Sequence, residues 1–202
     1  MDKILLASNN QHKIKEFNEI LHGRFDLVSQ SHLNIEEIEE TGLSFVENAI
    51  LKARNASKAA NLPAIADDSG IEVDALSGRP GIYSARYAGL NCDDNKNNKL
   101  LLKELKNIPL DGRTARYQCV IVYMPFYDHP LPKIYNGTWE GYIGFEEKGE
   151  NGFGYDPIFE VSGLGETYAE MDHEKKKHIG HRGNAFKLLI PELKKLLVSI
   201  KK

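Results

Sequence analysis

Two adjacent carboxylates, Asp67 and Asp68, stand directly after the apolar run Leu62 to Ala66 and directly before Ser69-Gly70. So short an apolar run reads as a buried strand, and the pair sits at its mouth, where an unpaired negative charge is costly. Any fold this chain adopts must bring compensating groups to that point. A divalent metal held by oxygen ligands meets the need directly. An Asx-type turn, with both side chains accepting nearby backbone N–H groups, also meets it. The five residues alone leave both readings open.

The rest of the composition narrows the class. A chain of 202 residues with 41% hydrophobic and 27% charged residues is ordinary for a soluble globular protein. It suits a single domain over residues 1–202, or two lobes sharing a core. No apolar run approaches the roughly 18 to 20 residues needed to cross a bilayer, and Met1-Asp2-Lys3-Ile4-Leu5-Leu6 reads as a strand rather than a signal peptide. A cytoplasmic protein without a membrane partner is expected. Cys92 and Cys119 match no close metal-ligand spacing, which points to reduced thiols. A formal net charge of −3 argues against a nucleic-acid surface, though not against a single nucleotide.

Strand and helix signals alternate along the chain. Lys3 to Ala7 reads as a strand, Ser8 to His12 as a loop, and Lys13 to Leu21 as a helix with Ile14, Phe17, Ile20 and Leu21 on one face. A short strand near Phe25 to Val28 follows. Ser44 and Glu47 form a capping-box pair for a long helix whose stripe is Phe45, Ala49, Ala53, Ala56 and Ala60. Strands are expected at Ala64 to Ala66 and Ile71 to Val73, on either side of an acidic turn. Further on, a helix covers Asp94 to Leu105, and Tyr117 to Met124 and Ile134 to Ile143 are extended. A last helix runs from about Asn184 to Ile200, kinked or restarted at Pro191. The mixture makes an α/β class.

Five other segments can carry chemistry. Ser8-Asn9-Asn10-Gln11-His12-Lys13 joins a strand to a helix and ends in a cation, an arrangement that attracts anions or simply caps a helix. It is not a Walker loop. Glu39 and Glu40 lie in an acidic stretch that is either solvated or a source of metal ligands. Asn48 and Lys52 share a helix face roughly opposite part of the alanine stripe, from which Lys52 can reach a phosphate. Phe153-Gly154-Tyr155-Asp156 offers rings, a permissive glycine and a carboxylate, suited to a base or to core packing. Lys175-Lys176-Lys177-His178, followed by His181-Arg182-Gly183, is a basic patch that either faces solvent or meets an anion or base.

In order, the segments from Ser8 to Lys13, Glu40-Thr41-Gly42, Glu47 to Ala53, Ala66 to Gly70, Pro80 to Tyr87, Gly152 to Phe159 and His181-Arg182-Gly183 cover essentially the full length. Taken together, they resemble the bacterial inosine/xanthosine triphosphate pyrophosphatases, the Ham1-like housecleaning enzymes. The resemblance implies an elongated mixed sheet flanked by helices, with two lobes around a central substrate cleft, usually in a homodimer. It implies magnesium-dependent hydrolysis of ITP, dITP and XTP to the monophosphate and pyrophosphate. Asp68 would be the catalytic base and a metal ligand, with Asp67 and Glu39 or Glu40 completing the metal set. Ser8 to Lys13, Lys52, Ser69 and Lys176 would contact phosphate or sugar. Phe153, Gly154, Tyr155, Asp156, His181 and Arg182 would hold the purine. Asn9 and His12 stand where bacterial members usually carry glycine, and Gly180 where they carry serine. A Maf-like pyrophosphatase for other modified nucleotides, or a catalytically silent nucleotide binder, are the alternatives.

Overall fold

The structure, a computed structural model, describes residues 3–21, 23, 25–90, 92–172 and 180–200. Its six strands are β1 (Lys3–Leu6), β2 (Asp26–Ser29), β3 (Ala64–Val73), β4 (Thr114–Met124), β5 (Lys133–Ile143) and β6 (Phe159–Val161). They form one sheet in the order β2-β1-β3-β4-β5-β6. β1 runs parallel to β2 and to β3, while β5 and β6 are antiparallel, so the sheet is mixed. The α-helices among the described residues are α1 (Gln11–Leu21), α2 (Phe45–Ala60), α3 (Asp94–Glu104) and α4 (His181–Ile200). The α/β expectation holds.

The chain divides into two compact units. The first comprises Met1–Asp68, Cys119–Gly137 and Asn184–Lys202, and the second Ser69–Gln118 and Thr138–Gly183.

In the first unit the period-2 alternation of strands sorts side chains onto two faces. Ile4, Leu6, Ile65, Cys119, Ile121 and Tyr123 pack against Phe17 and Leu21 of α1 and Ala185, Phe186, Leu189 and Leu193 of α4. Leu5, Ala7, Ala64, Ala66, Val120, Val122 and Met124 pack against Ala49, Ala53 and Ala56 of α2. Small residues on α2 let that helix lie close to the sheet. Phe17 and Phe186 meet edge to face at 4.7 Å, both buried. Truncating either to alanine is expected to cost about 3–5 kcal/mol.

The second unit has its own core, built from Ile71, Val73, Leu101, Leu105, Tyr117, Tyr155, Phe159 and Tyr168 among others. Arg113 is buried within it at 1% exposure. Its guanidinium donates to the carbonyls of Ile143 (2.7 Å), Leu105 (3.0 Å) and Gly144 (2.5 Å), and it lies 4.4 Å from the centre of the Phe145 ring. Burial pushes its pKa down. Three carbonyl acceptors compensate that burial and tie the ends of α3 and β5 together.

Three expectations need correction. No turn interrupts the acidic segment: β3 runs unbroken from Ala64 to Val73. Each carboxylate finds a cation on its own side of the strand, so neither needs a turn to reach water. α1 starts at Gln11, two residues early, because Asn10 Oδ1 accepts the backbone N–H groups of His12 (3.0 Å) and Lys13 (3.1 Å). α4 starts at His181, and Pro191 lies inside a helix that continues to Ile200. A missing helix bond at proline costs about 3 kcal/mol, and burial of Leu189 and Leu193 on either side offsets it. The Ser44 cap is present, with Ser44 Oγ accepting from Glu47 N at 3.3 Å. Glu47 Oε2 reaches one residue further back than a capping box requires, to Leu43 N at 2.8 Å.

Candidate active site

Asp67 and Asp68 are 1% and 6% exposed, and strand alternation sends them to opposite faces. Asp67 continues the row of Ile65 and meets Lys13 of α1, Oδ2 to Nζ at 3.1 Å. Asp68 continues the row of Ala66 toward α2. There Lys52 Nζ lies 3.0 Å from Asp68 Oδ1, and Asn48 Nδ2 donates to Asp68 Oδ2 at 3.2 Å. Lys52 Nζ also lies 2.6 Å from Glu40 Oε1. Asn48 and Lys52 therefore flank the alanine stripe rather than lying opposite it, because each precedes a stripe alanine, Ala49 or Ala53, by one residue, less than a third of a turn.

Gly42 fixes the loop that carries Glu40. Its N–H donates to Asn48 Oδ1 at 2.8 Å, and a Cβ there would meet Glu47 Cβ at 2.6 Å and Asn48 Oδ1 at 2.7 Å. Only glycine admits so close an approach. Asn48, fully buried, thus links the Glu40 loop to Asp68 through its two amide ends.

The electrostatics follow from this crowding. Burial pushes the Asp68 pKa up, Lys52 pulls it back and Glu40 pushes it up again, and the net direction is upward. Burial opposes the charge on Lys52, but Asp68, Asp67 and Glu40 together outweigh it and raise its pKa. Among the described residues, the Lys13 and Lys52 ammonium groups are shared among the Asp67, Asp68 and Glu40 carboxylates.

Among the described residues no group of three or more His, Cys, Asp or Glu forms a ready-made metal cage. Magnesium does not require one, since it commonly binds through one or two carboxylates with waters and substrate phosphates. Glu40 and Asp68 converge on a single ammonium, so their oxygens also lie within reach of one hard cation. The donor set fits. Glu39 is exposed, and Glu40 is the member of the pair that meets Lys52. Asp67 sits on the Lys13 side.

In the Ser8–Lys13 segment Ser8 is buried and its Oγ accepts from Asn10 N at 3.2 Å, while Gln11 and His12 are exposed. Several N–H groups of this loop are thus already capped. Neither Asn9 nor His12 has positive φ, so neither substitution strains the backbone. Among the described residues, nothing bonds the buried Asn9 Oδ1.

The second unit gathers the remaining candidates. His181 and Arg182, 6% and 5% exposed, open α4. Arg182 NH2 donates to Ser69 Oγ at 3.1 Å. The His181 ring stacks on Tyr117 with centroids 4.6 Å apart and planes 10° from parallel. The Phe153–Asp156 turn is pinned from several sides. Asp156 Oδ2 accepts from Phe153 N at 3.2 Å, Asp156 Oδ1 accepts from Tyr117 OH at 2.9 Å, and Gly154 N donates to Asp94 Oδ2 at 2.7 Å. Gly154 holds φ +64°, a conformation that suits glycine. Tyr155 is a core residue whose hydroxyl donates to Ser84 O at 2.8 Å, and burial raises its pKa. Phe153 is half-buried. Lys176 lies outside the described residues.

Sequence reasoning missed Asn48 as a partner of Asp68 and missed Tyr117, Asp94 and Ser84 altogether. Tyr117 left one signal, a polar-tipped ring in the buried register of a strand, where a hydroxyl needs an acceptor.

Comparison with known proteins bears on this geometry. The Ham1 family profile matches residues 4–192. The dITP/XTP pyrophosphatase of Escherichia coli strain K12 is 50% identical over 195 residues, 96% of this chain and 99% of that protein. That of Thioalkalivibrio sulfidiphilus is 53% identical over 192 residues, 95% and 98% of the two chains. The solved structure of a HAM1 protein from Coxiella burnetii superposes with TM-score 0.90 at 44% identity, covering 96% of this chain and all of that one.

Proposed function

Because this chain belongs to the Ham1 family, we propose that it hydrolyses non-canonical purine nucleoside triphosphates, ITP, dITP and XTP, to the monophosphate and pyrophosphate. One observation carries the chemistry: Asp68 is buried, its pKa is raised, and it is held by Lys52 and Asn48 beside Glu40. A carboxylate so placed is more basic than a solvated one and is fixed in position, as a general base must be.

Asp68 orients water for attack on the α-phosphorus and takes its proton, and the bond to the pyrophosphate oxygen breaks. Lys13 and Lys52, with Lys176, offset charge on the polyphosphate. Asp67 keeps the Lys13 ammonium in place. Magnesium, held by Asp68 and Glu40 with Asp67 supporting its water shell, would supply further neutralisation of the leaving group. Ser8 to His12 and Ser69 serve phosphate and sugar. The purine is read by donors of His181 and Arg182, which suit a 6-oxo acceptor and are left unpaired by the amine of adenine, while the Phe153–Asp156 turn, whose Phe153 and Gly154 N–H groups are already bonded, shapes the place of the base.

The enzyme is proposed to act as a homodimer, which sedimentation at micromolar concentration tests. No described helix is long and apolar enough to cross a membrane, and Cys92 and Cys119, which are not joined in a disulfide, suit a reducing cytoplasm. Pyrophosphate release from a panel of ITP, XTP, dITP, dUTP, m5UTP and the standard triphosphates, with and without magnesium, tests the activity. Preference for ITP, dITP and XTP over the standard triphosphates supports it. Equal kcat/KM for ATP and ITP contradicts it.

A further inference from the structure

Tyr117 is buried in β4 at 7% exposure and is engaged on every side. One face stacks on His181 at 4.6 Å. Its ring meets Phe159 at 4.7 Å and Tyr168 at 6.1 Å in edge contacts. Its hydroxyl donates to Asp156 Oδ1 at 2.9 Å. The other oxygen of Asp156 accepts the N–H of Phe153, closing the turn on itself. Tyr117 thus touches both elements assigned to the purine, the histidine at the start of α4 and the turn that follows Gly152. Those elements are 25 or more residues apart in the chain, and His181 and Asp156 both contact this one side chain.

Resting on the purine-pocket reading above, we infer that Tyr117 is a positioning residue for base selectivity, setting the His181 ring and the Phe153–Asp156 turn in one fixed relation. Discrimination by hydrogen bonds depends on donors that do not shift to suit the wrong base. A side chain that braces both the His181 ring and the turn beside it supplies that rigidity. The hydroxyl is a dependable donor, because burial and the neighbouring Asp156 hold its pKa well above the ordinary tyrosine value. Asp156 acts here from behind, since each of its oxygens accepts a bond from within the turn or from Tyr117.

Tyr117→Phe keeps the stack and edge contacts and removes one hydroxyl. The ratio of kcat/KM for ITP to that for ATP is expected to fall about tenfold, the effect of one buried hydrogen bond. The fall should be carried mainly by KM for ITP. Tyr117→Leu, which also removes the stack, should lower the ratio further. His181→Ala, measured beside them, tests the pocket itself. A lowered ratio in both His181→Ala and Tyr117→Phe supports the inference. If His181→Ala lowers the ratio while Tyr117→Phe leaves it unchanged, or lowers kcat/KM equally for every triphosphate, Tyr117 is only structural and the pocket stands. If His181→Ala leaves the ratio unchanged, the pocket reading fails and the role of Tyr117 falls with it.

Discussion

Around Asp67 and Asp68 in the first unit, ammonium groups face carboxylates at 2.6 to 3.1 Å. Around His181 in the second unit, rings pack on rings and the hydrogen bonds run to Asp156, Ser84 and Asp94. The first cluster is held by Coulomb attraction among charges that a polyphosphate or a cation can exchange. The second is held by packing and by hydrogen bonds that are already satisfied. Labile charge suits bond breaking at phosphorus, where charge moves, and a stiff aromatic frame suits telling one base from another. Substitutions in the two regions should therefore register in different kinetic constants.

The largest expected effect is that of Asp68→Asn, which removes the base while keeping the shape. If Asp68 is the proposed base, its kcat with ITP should fall by about a thousandfold, within the range for general-base catalysis, with the thermal unfolding midpoint near that of the parent. Lys52→Met comes next. It leaves Asp68 and Glu40 without their shared cation, and kcat/KM should fall by about a hundredfold, visible in steady-state pyrophosphate release. Tyr155→Phe sharpens the contrast from the other side. Loss of the bond to Ser84 O should cost about 1 kcal/mol of stability in urea titration and raise KM for ITP severalfold more than it lowers kcat. A loss confined to kcat would erase the distinction between the regions.

The smallest effect belongs to a surface pair of the second unit. Arg116, through hydrogen bonds, and then Thr114 hold the Asp74 carboxyl down at about 2. A folded-state pKa below the unfolded value of about 3.9 stabilises the protein above that pH, and the benefit is lost as pH falls through 2. The Asp74 side chain is 47% exposed, so solvent screening limits the benefit to less than about 1 kcal/mol. Asp74→Asn should show that small loss at pH 7 and none near pH 2 in paired urea titrations.

Much of this was legible in the sequence because local chemistry repeats. Short apolar runs at Ala64 to Ala66 and Ile71 to Val73 marked the two ends of what proves to be one strand, β3, and the alanine stripe of α2 gave the close face against the sheet. Ser44 with Glu47 marked where α2 begins. What was not legible depended on contacts distant in sequence. The unbroken course of β3 through two carboxylates is possible only because Lys13 and Lys52 arrive from different helices, which no local pattern reveals. Glu39 and Glu40 are indistinguishable as neighbours in a loop until Lys52 approaches one of them. Tyr117 read as a strand residue, since its partners His181 and Asp156 lie 64 and 39 positions away.

The central claim is that two adjacent carboxylates on opposite faces of one strand do different work, and one comparison tests it directly. Single-turnover release of pyrophosphate from ITP is measured for Asp68→Asn and Asp67→Asn at saturating magnesium. The account predicts a loss at least about tenfold greater for Asp68→Asn, since a positioning partner of Lys13 is worth less than the base itself. Equal losses, or a faster Asp68→Asn enzyme, would contradict it.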